Sequence, residues 1–230
     1  MSISRTVNIT CPSCGTKQDV RLYDVVNVKT DPELKDALMQ NMLNRIQCKG
    51  CDLNFRVDKP LMYNDPKLGM LIHWVPETEE MGREEILDEF EESLERMYEQ
   101  MPEGQEAPNV RLVLTRVELV ELIFMLEKGL NQRVVEYVKY SIFTRNPEKA
   151  NPKTHRLLLN VEDSTDEEFC FVLQDVQSQE LGQILRYGRA AYDSMIELYE
   201  EDDAEFLEMF PGPLISAREL LLEDEEFEEQ

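Results

Sequence analysis

The chain has 230 residues, with 48 Asp and Glu against 24 Lys and Arg, a formal charge of −24 and a hydrophobic share of 42%. That share is ordinary for a folded core, so the charge belongs to a surface and does not mark a disordered chain. An acid excess of this size repels phosphate backbones and excludes coating of nucleic acid by the whole chain.

The excess is uneven. Residues 1–76 carry ten Lys and Arg against eight Asp and Glu, so the acid lies in the remainder. The start, "MSISRTVNIT", has no long apolar core behind Arg5 and reads as neither a secretory signal nor an anchor. Even the most apolar stretch, "VRLVLTRVELVELIFML", is interrupted by Arg116, Glu118 and Glu121, which argues against a membrane span. The expectation is a cytoplasmic protein of α+β class. An N-terminal four-cysteine β unit with an inserted helix is expected over residues 1–76, and an acidic amphipathic helix and linker over residues 77–109. A helix-rich α+β domain follows over 110–210, then a short terminal helix and acidic tail over 211–230.

In chain order, alternation in "QDVRLYDVVNV" predicts a strand from about Gln18 to Val28. A helix follows in "TDPELKDALMQNMLN", with Thr30 or Asp31 as cap, Pro32 in the first turn and Leu34, Leu38 and Met42 on one face. Strands are expected at "NFRVD" and "GMLIHWV", with Asn64, Asp65, Pro66 and Gly69 forming the turn between them, and the first unit closing near Pro76. Ile86, Phe90, Leu94, Met97 and Met101 then recur at helical spacing, and a Pro/Gly-containing loop is expected near residues 102–109.

Thr115 and Glu118 have capping-box spacing, and Gly129 sits where that helix should stop. A second helix from about Asn131 to Thr144 completes a helical hairpin. "HRLLLNV" and "EEFCFVLQDV" read as paired strands, followed by one long helix carrying Leu181, Ile184, Leu185, Tyr192, Met195, Ile196 and Tyr199. Ser216 and Glu219 repeat the capping-box spacing, with Ile215 placed to staple Leu220 before a charged end.

Cys11 and Cys14, and Cys48 and Cys51, form two Cys-x-x-Cys pairs separated by 33 residues. This spacing lets both thiolates of a pair reach one ion from a tight turn, and two such knuckles supply a tetrahedral shell. Four protein ligands leave no open position, so such a site is structural rather than Lewis-acidic. Zinc is favoured, with iron in a rubredoxin-like or iron–sulfur centre also compatible with the ligands. Thiol redox chemistry ranks lower, because a thioredoxin-like pair opens a helix after a buried strand. Gly15 follows the first knuckle and can take the left-handed conformation; Asp52 stands at the same place in the second.

"ITCPSCGTKQDV", "DPELKDALMQNMLNRIQCKGC" and "LMYNDPKLG" resemble the CpXC domain, a prokaryotic family named for its first knuckle. The similarity covers about residues 5–145 and extends to "GLNQRVVEYVK". The resemblance implies a ribbon-like metal site and supplies no reaction.

Elsewhere the candidates are sparse. Cys170 alternates among apolar residues and reads as a core thiol, and His73 beside Trp74 reads as packing. No catalytic motif accompanies His73 or His155, so no catalytic residue and no cofactor other than the metal are assigned. Lys139, Arg145, Lys149, Lys153 and Arg156 oppose only Glu148, and this basic segment reads as solvated or matched within the chain. The favoured reading is a noncatalytic zinc-binding module whose acidic surface selects a protein partner. A nucleic-acid-associated regulator using the ribbon and a thiol oxidoreductase are the alternatives.

Overall fold

The computed structural model describes residues 1–78, 80–102, 104 and 107–228. The chain divides into two units, Met1–Val120 and Glu121–Gln230. The first contains β1 (Ile3–Thr10), β2 (Lys17–Asn27), α1 (Pro32–Met39), β3 (Arg45–Gln47), β4 (Asn54–Arg56), β5 (Leu61–Asp65), β6 (Met70–Trp74), α2 (Arg83–Glu99) and β7 (Asn109–Val113). The boundary then falls within α3 (Arg116–Glu127).

Five strands of the first unit form one sheet in the order β1-β2-β5-β6-β7, and β3 and β4 form a separate two-stranded sheet. The β1–β2 and β5–β6 pairs are antiparallel, whereas β2–β5 and β6–β7 are parallel. The sheet therefore continues past Pro76, because Asn109–Val113 pairs with Met70–Trp74. Alternation in β5 and β6 buries Leu61, Tyr63, Asp65, Met70, Ile72 and Trp74 on one face, as the period of two requires. On the other face the His73 ring meets Phe90 of α2 edge-on at 5.1 Å, the packing role expected of this histidine.

Local signals were partly followed. Pro32 opens α1, and Leu34 and Leu38 are buried, but Met42 lies beyond the helix and is 54% exposed. Asp31 provides no side-chain cap to α1; its carboxylate instead accepts from the Ser2 amide at 2.9 Å and the Thr30 hydroxyl at 2.7 Å. Asn64 and Asp65 are strand residues, and the Asp65 carboxylate then starts the turn by accepting from the Lys67 amide at 3.0 Å. In α2, Ile86 and Phe90 are buried and Leu94 and Met97 half-buried, while Met101 follows the helix end. The loop expected near 102–109 lies partly outside the described residues, as do the last two residues of the charged end.

The capping box before α3 is reciprocal: the Glu118 amide donates to Thr115 Oγ1 at 3.3 Å and the Thr115 amide to Glu118 Oε2 at 3.0 Å. Gly129 ends the helix at φ +68°, and Asn131 caps the next by accepting from the Val134 amide. The second unit continues with α4 (Gln132–Arg145), β8 (His155–Asn160), β9 (Glu168–Asp175), β10 (Leu181–Gly188), α5 (Arg189–Glu201), α6 (Ala204–Met209) and α7 (Ala217–Glu228). Residues 181–188 are thus a strand and not the start of a long helix; β10 pairs antiparallel with β9, which pairs with β8.

Helix α4 is the centre of this unit, burying Val134, Val135, Val138, Ile142 and Phe143 together with Glu136 and Lys139. Ile215 does sit with Phe210 and Ala217 in a small core against which Leu220 packs, and the Glu219 amide donates to Ser216 Oγ at 3.4 Å. The fold is α+β, with the four-cysteine cluster among the N-terminal strands. Among the described residues, no helix is long and apolar enough to cross a membrane.

Candidate metal centre

Each cysteine pair occupies the loop of an antiparallel hairpin. Thr10 and Lys17 close the first loop, and Gln47 and Asn54 close the second. The two loops share one backbone frame. The Cys11 amide donates to the Thr16 carbonyl at 2.9 Å and the Cys48 amide to the Leu53 carbonyl at 2.8 Å. The Gly15 amide donates to the Cys11 carbonyl at 3.0 Å and the Asp52 amide to the Cys48 carbonyl at 3.1 Å. Gly15 and Asp52 hold φ of +73° and +57°, so the aspartate adopts the left-handed conformation that its position in the knuckle demands.

These matched loops bring Cys11, Cys14, Cys48 and Cys51 together, with all four sulfurs within 4.8 Å of one another. Across the knuckles, Cys11 Sγ is 3.8 Å from Cys51 Sγ and Cys14 Sγ is 3.5 Å from Cys48 Sγ. Zinc–sulfur bonds of about 2.3 Å arranged tetrahedrally place sulfurs roughly 3.8 Å apart, whereas a disulfide requires about 2.05 Å. The cysteines are free thiols at a spacing that suits a shared cation. Cys11 and Cys48 are buried at 2% and 0% exposure, while Cys14 and Cys51 face solvent.

Crowding divides the protons unequally. The Thr16 hydroxyl, 3.2 Å from Cys14 Sγ, and the Thr16 amide favour the Cys14 thiolate and bring it down to about 6. The amide of Cys14, and after it that of Ser13, holds Cys11 below the usual thiol range. The Leu53 amide favours a thiolate at Cys51, but contact with Cys14 and burial outweigh it and push Cys51 up to about 12. Four adjacent thiols cannot all ionise cheaply by themselves; a divalent cation removes that restriction.

Gly50, Thr16 and Gln18 build the surroundings. A Cβ on Gly50 would lie 2.2 Å from Thr16 Oγ1 and 3.3 Å from Cys14 Sγ, so Gly50 is where the knuckles touch. Its amide also donates to Cys48 Sγ at 3.3 Å. The buried Gln18 side chain donates from Nε2 to the Gln47 carbonyl at 3.1 Å and accepts at Oε1 from the Lys49 amide at 2.8 Å, gripping the chain on both sides of Cys48. Lys49 thus contributes its backbone, and its side chain is exposed. Sequence reasoning places Gln18 at a strand start without this role, and nothing in the residue pattern singles it out.

The remaining candidates have structural places. Cys170 is 1% exposed, burial raises its thiol, and its amide donates to Ser164 Oγ at 3.0 Å. Within the basic segment, Lys139 and Arg156 are buried at 4% and 8% exposure. Lys139 Nζ lies 2.7 Å from both Glu121 Oε1 and Glu136 Oε1, and Arg156 donates to Gln174 Oε1 at 3.2 Å. His155 Nδ1 is 2.9 Å from Thr154 Oγ1. The second unit also has a cleft of about 480 Å³ lined by Lys128, Thr165, Asp166, Phe169 and Arg189 among others.

A family model described as CpXC protein matches residues 9–139, a stretch that includes all four clustered cysteines. No curated protein and no solved structure matches the chain.

Proposed function

Since the chain belongs to the CpXC protein family, we propose that it is a noncatalytic module that binds one zinc ion through Cys11, Cys14, Cys48 and Cys51 and engages a protein partner in the cytoplasm. The observation that carries the metal reading is the four-sulfur cluster of two congruent knuckles, all within 4.8 Å. A zinc ion there would be a closed cross-link between the β1–β2 and β3–β4 hairpins, supplying neither an open coordination position nor redox chemistry. Iron would use the same sulfurs and is the competing occupant.

The protein-partner reading rests on charge. The excess of acid, −24 over 230 residues, favours a basic protein surface and disfavours polyphosphate chains. Native mass spectrometry of untagged protein purified without chelator tests both halves. One zinc mass per chain and a co-purifying basic protein are the expected result. Metal-free chains with disulfide-linked cysteines would overturn the zinc reading in favour of thiol redox chemistry, and a coloured, iron-bearing protein would change the ion.

A further inference from the structure

The β3–β4 hairpin carries half of the cysteine cluster, yet among the described residues it has no strand-to-strand ladder with the five-stranded sheet. Two buried side-chain amides tie it to β2. Gln18, 7% exposed, reaches from β2 to the Gln47 carbonyl and the Lys49 amide. Asn44, 8% exposed and immediately before β3, reaches the other way: its Oδ1 accepts from the Tyr23 amide at 2.8 Å and its Nδ2 donates to the Tyr23 carbonyl at 3.1 Å. A primary amide offers one carbonyl acceptor and an N–H donor, the same pair that a strand residue offers its neighbour. Each side chain therefore makes the two-bond rung that a strand would have made. Ile46, between Asn44 and Cys48 in the sequence, is buried at 7% exposure.

None of these four bonds involves sulfur, and all are between neutral groups. The energy that docks the hairpin is thus separate from the energy that an ion would gain from the thiolates. The first knuckle is likewise independent of the ion, because β1 and β2 belong to a sheet whose core includes Tyr63, Ile72 and Leu112 at 0% exposure. Cys14 and Cys51, at the exposed side of the cluster, give a chelator or competing ligand access to two of the four sulfurs.

We propose that Gln18 and Asn44 are positioning residues that dock the second knuckle against β2 and set the sulfur spacing before metal binds, so that the ion can be removed and reloaded without loss of the fold. This rests on the metal reading above. Outer partners that hold ligands in place commonly contribute ten- to a hundredfold in metal affinity, and the same range, roughly 10- to 100-fold per residue, is expected here.

Cobalt(II) is the probe, titrated into the reduced full chain against a competing chelator. Gln18→Ala and Asn44→Ala should each weaken cobalt binding by about 10- to 100-fold while the bound ion keeps its tetrahedral thiolate spectrum. Gln18→Glu, which retains the acceptor for Lys49 but loses the donor to Gln47, should recover part of the loss. Chelator-treated wild-type protein should keep its circular dichroism, retain slow hydrogen exchange at the Tyr23 and Lys49 amides, and reload fully. Unchanged cobalt affinity in both alanine variants overturns the proposal, as does loss of that amide protection when the ion is stripped. If the wild-type chain takes up no metal at all, the zinc reading fails by itself. Amide protection at Tyr23 and Lys49 in the wild type, and its absence in the alanine variants, would still support the docking role. If the alanine variants do not fold, Gln18→Glu and the chelator-treated wild type carry the test alone.

Discussion

Lys139 Nζ lies 2.7 Å from Glu121 Oε1 with both side chains buried, and Glu136 Oε1 lies at the same distance on the same nitrogen. One ammonium therefore serves two carboxylates inside the second unit. Burial pushes Glu121 up to about 7 even though Lys139 pulls the other way. For Lys139, burial acts to lower the ammonium, but the charges of Glu121 and then Glu136 outweigh it and raise the group. Glu121 Oε1 also accepts from the Leu159 amide, and the second oxygen of Glu136, Oε2, accepts from the Ala217 amide at 2.8 Å.

The sign of the pH dependence follows. A carboxyl near 4.5 when unfolded and about 7 when folded binds its proton more tightly in the fold. Its contribution is complete below the lower value and is lost as pH rises through the higher one. Urea unfolding followed by the helical signal should show stability falling between pH 5 and pH 7 by on the order of 2 kcal/mol. Glu121→Gln should flatten that slope. A wild-type profile that rises over the interval would contradict the assignment.

Removing the cation should cost more than removing the proton-binding group. Lys139→Met leaves two carboxylates buried without a counter-charge, and a loss of about 3–5 kcal/mol is expected. A double variant, Lys139→Met with Glu121→Gln, should recover part of it, which a double-mutant cycle in urea would measure.

Gly50→Ala should separate the knuckles. The added methyl would meet Thr16 Oγ1 at 2.2 Å and Thr16 Cβ at 3.0 Å, so the Thr16 side chain or the knuckle facing it must shift. Cobalt affinity should fall at least tenfold, in line with displaced ligands. Thr16→Ala in the same chain removes the clashing hydroxyl and should restore part of the affinity. Equal binding in the single and double variants would rule out steric contact as the cause.

Asp52→Gly should stabilise the second knuckle slightly. An L-residue at φ +57° carries a left-handed penalty that glycine lacks, offset in part by glycine's greater freedom when unfolded. A gain of about 0.5 kcal/mol is expected, read from the urea midpoint of the metal-loaded protein. Gly15→Ala, at φ +73°, should shift the same midpoint in the opposite direction.

Where residue chemistry acts locally, the sequence was readable. The knuckle spacing, the left-handed Asp52, the Thr115–Glu118 box and the stop at Gly129 all reappear in the fold because each is decided within a few residues. The errors lie where distant segments decide. Leu181, Ile184 and Leu185 have helical spacing, but pairing with Gln174, Val172 and Phe171 makes them a strand. Asn64 and Asp65 have turn chemistry, yet Asn64 pairs with Asn27 and Leu71. Residues 109–113 carry no local sign that their partner is β6, across α2. Gln18 and Asn44 escaped notice because an amide has no periodicity, and only its partners reveal what it replaces.

An ion held by both knuckles would tie residues 11–14 to residues 48–51 across an intervening 33 residues. For the unfolded chain that is a topological restraint, and closing a loop of this size removes entropy worth roughly 3–4 kcal/mol by analogy with a covalent bridge. Gln18 and Asn44 exert no such influence, because their bonds exist only once β2 and the second hairpin have met. Metal loading would therefore act on the unfolded ensemble as well as on the fold, whereas the two amides discriminate only among folded arrangements. The same hairpin junction would then be governed by two separable controls, one over how far the open chain can wander and one over how accurately it closes.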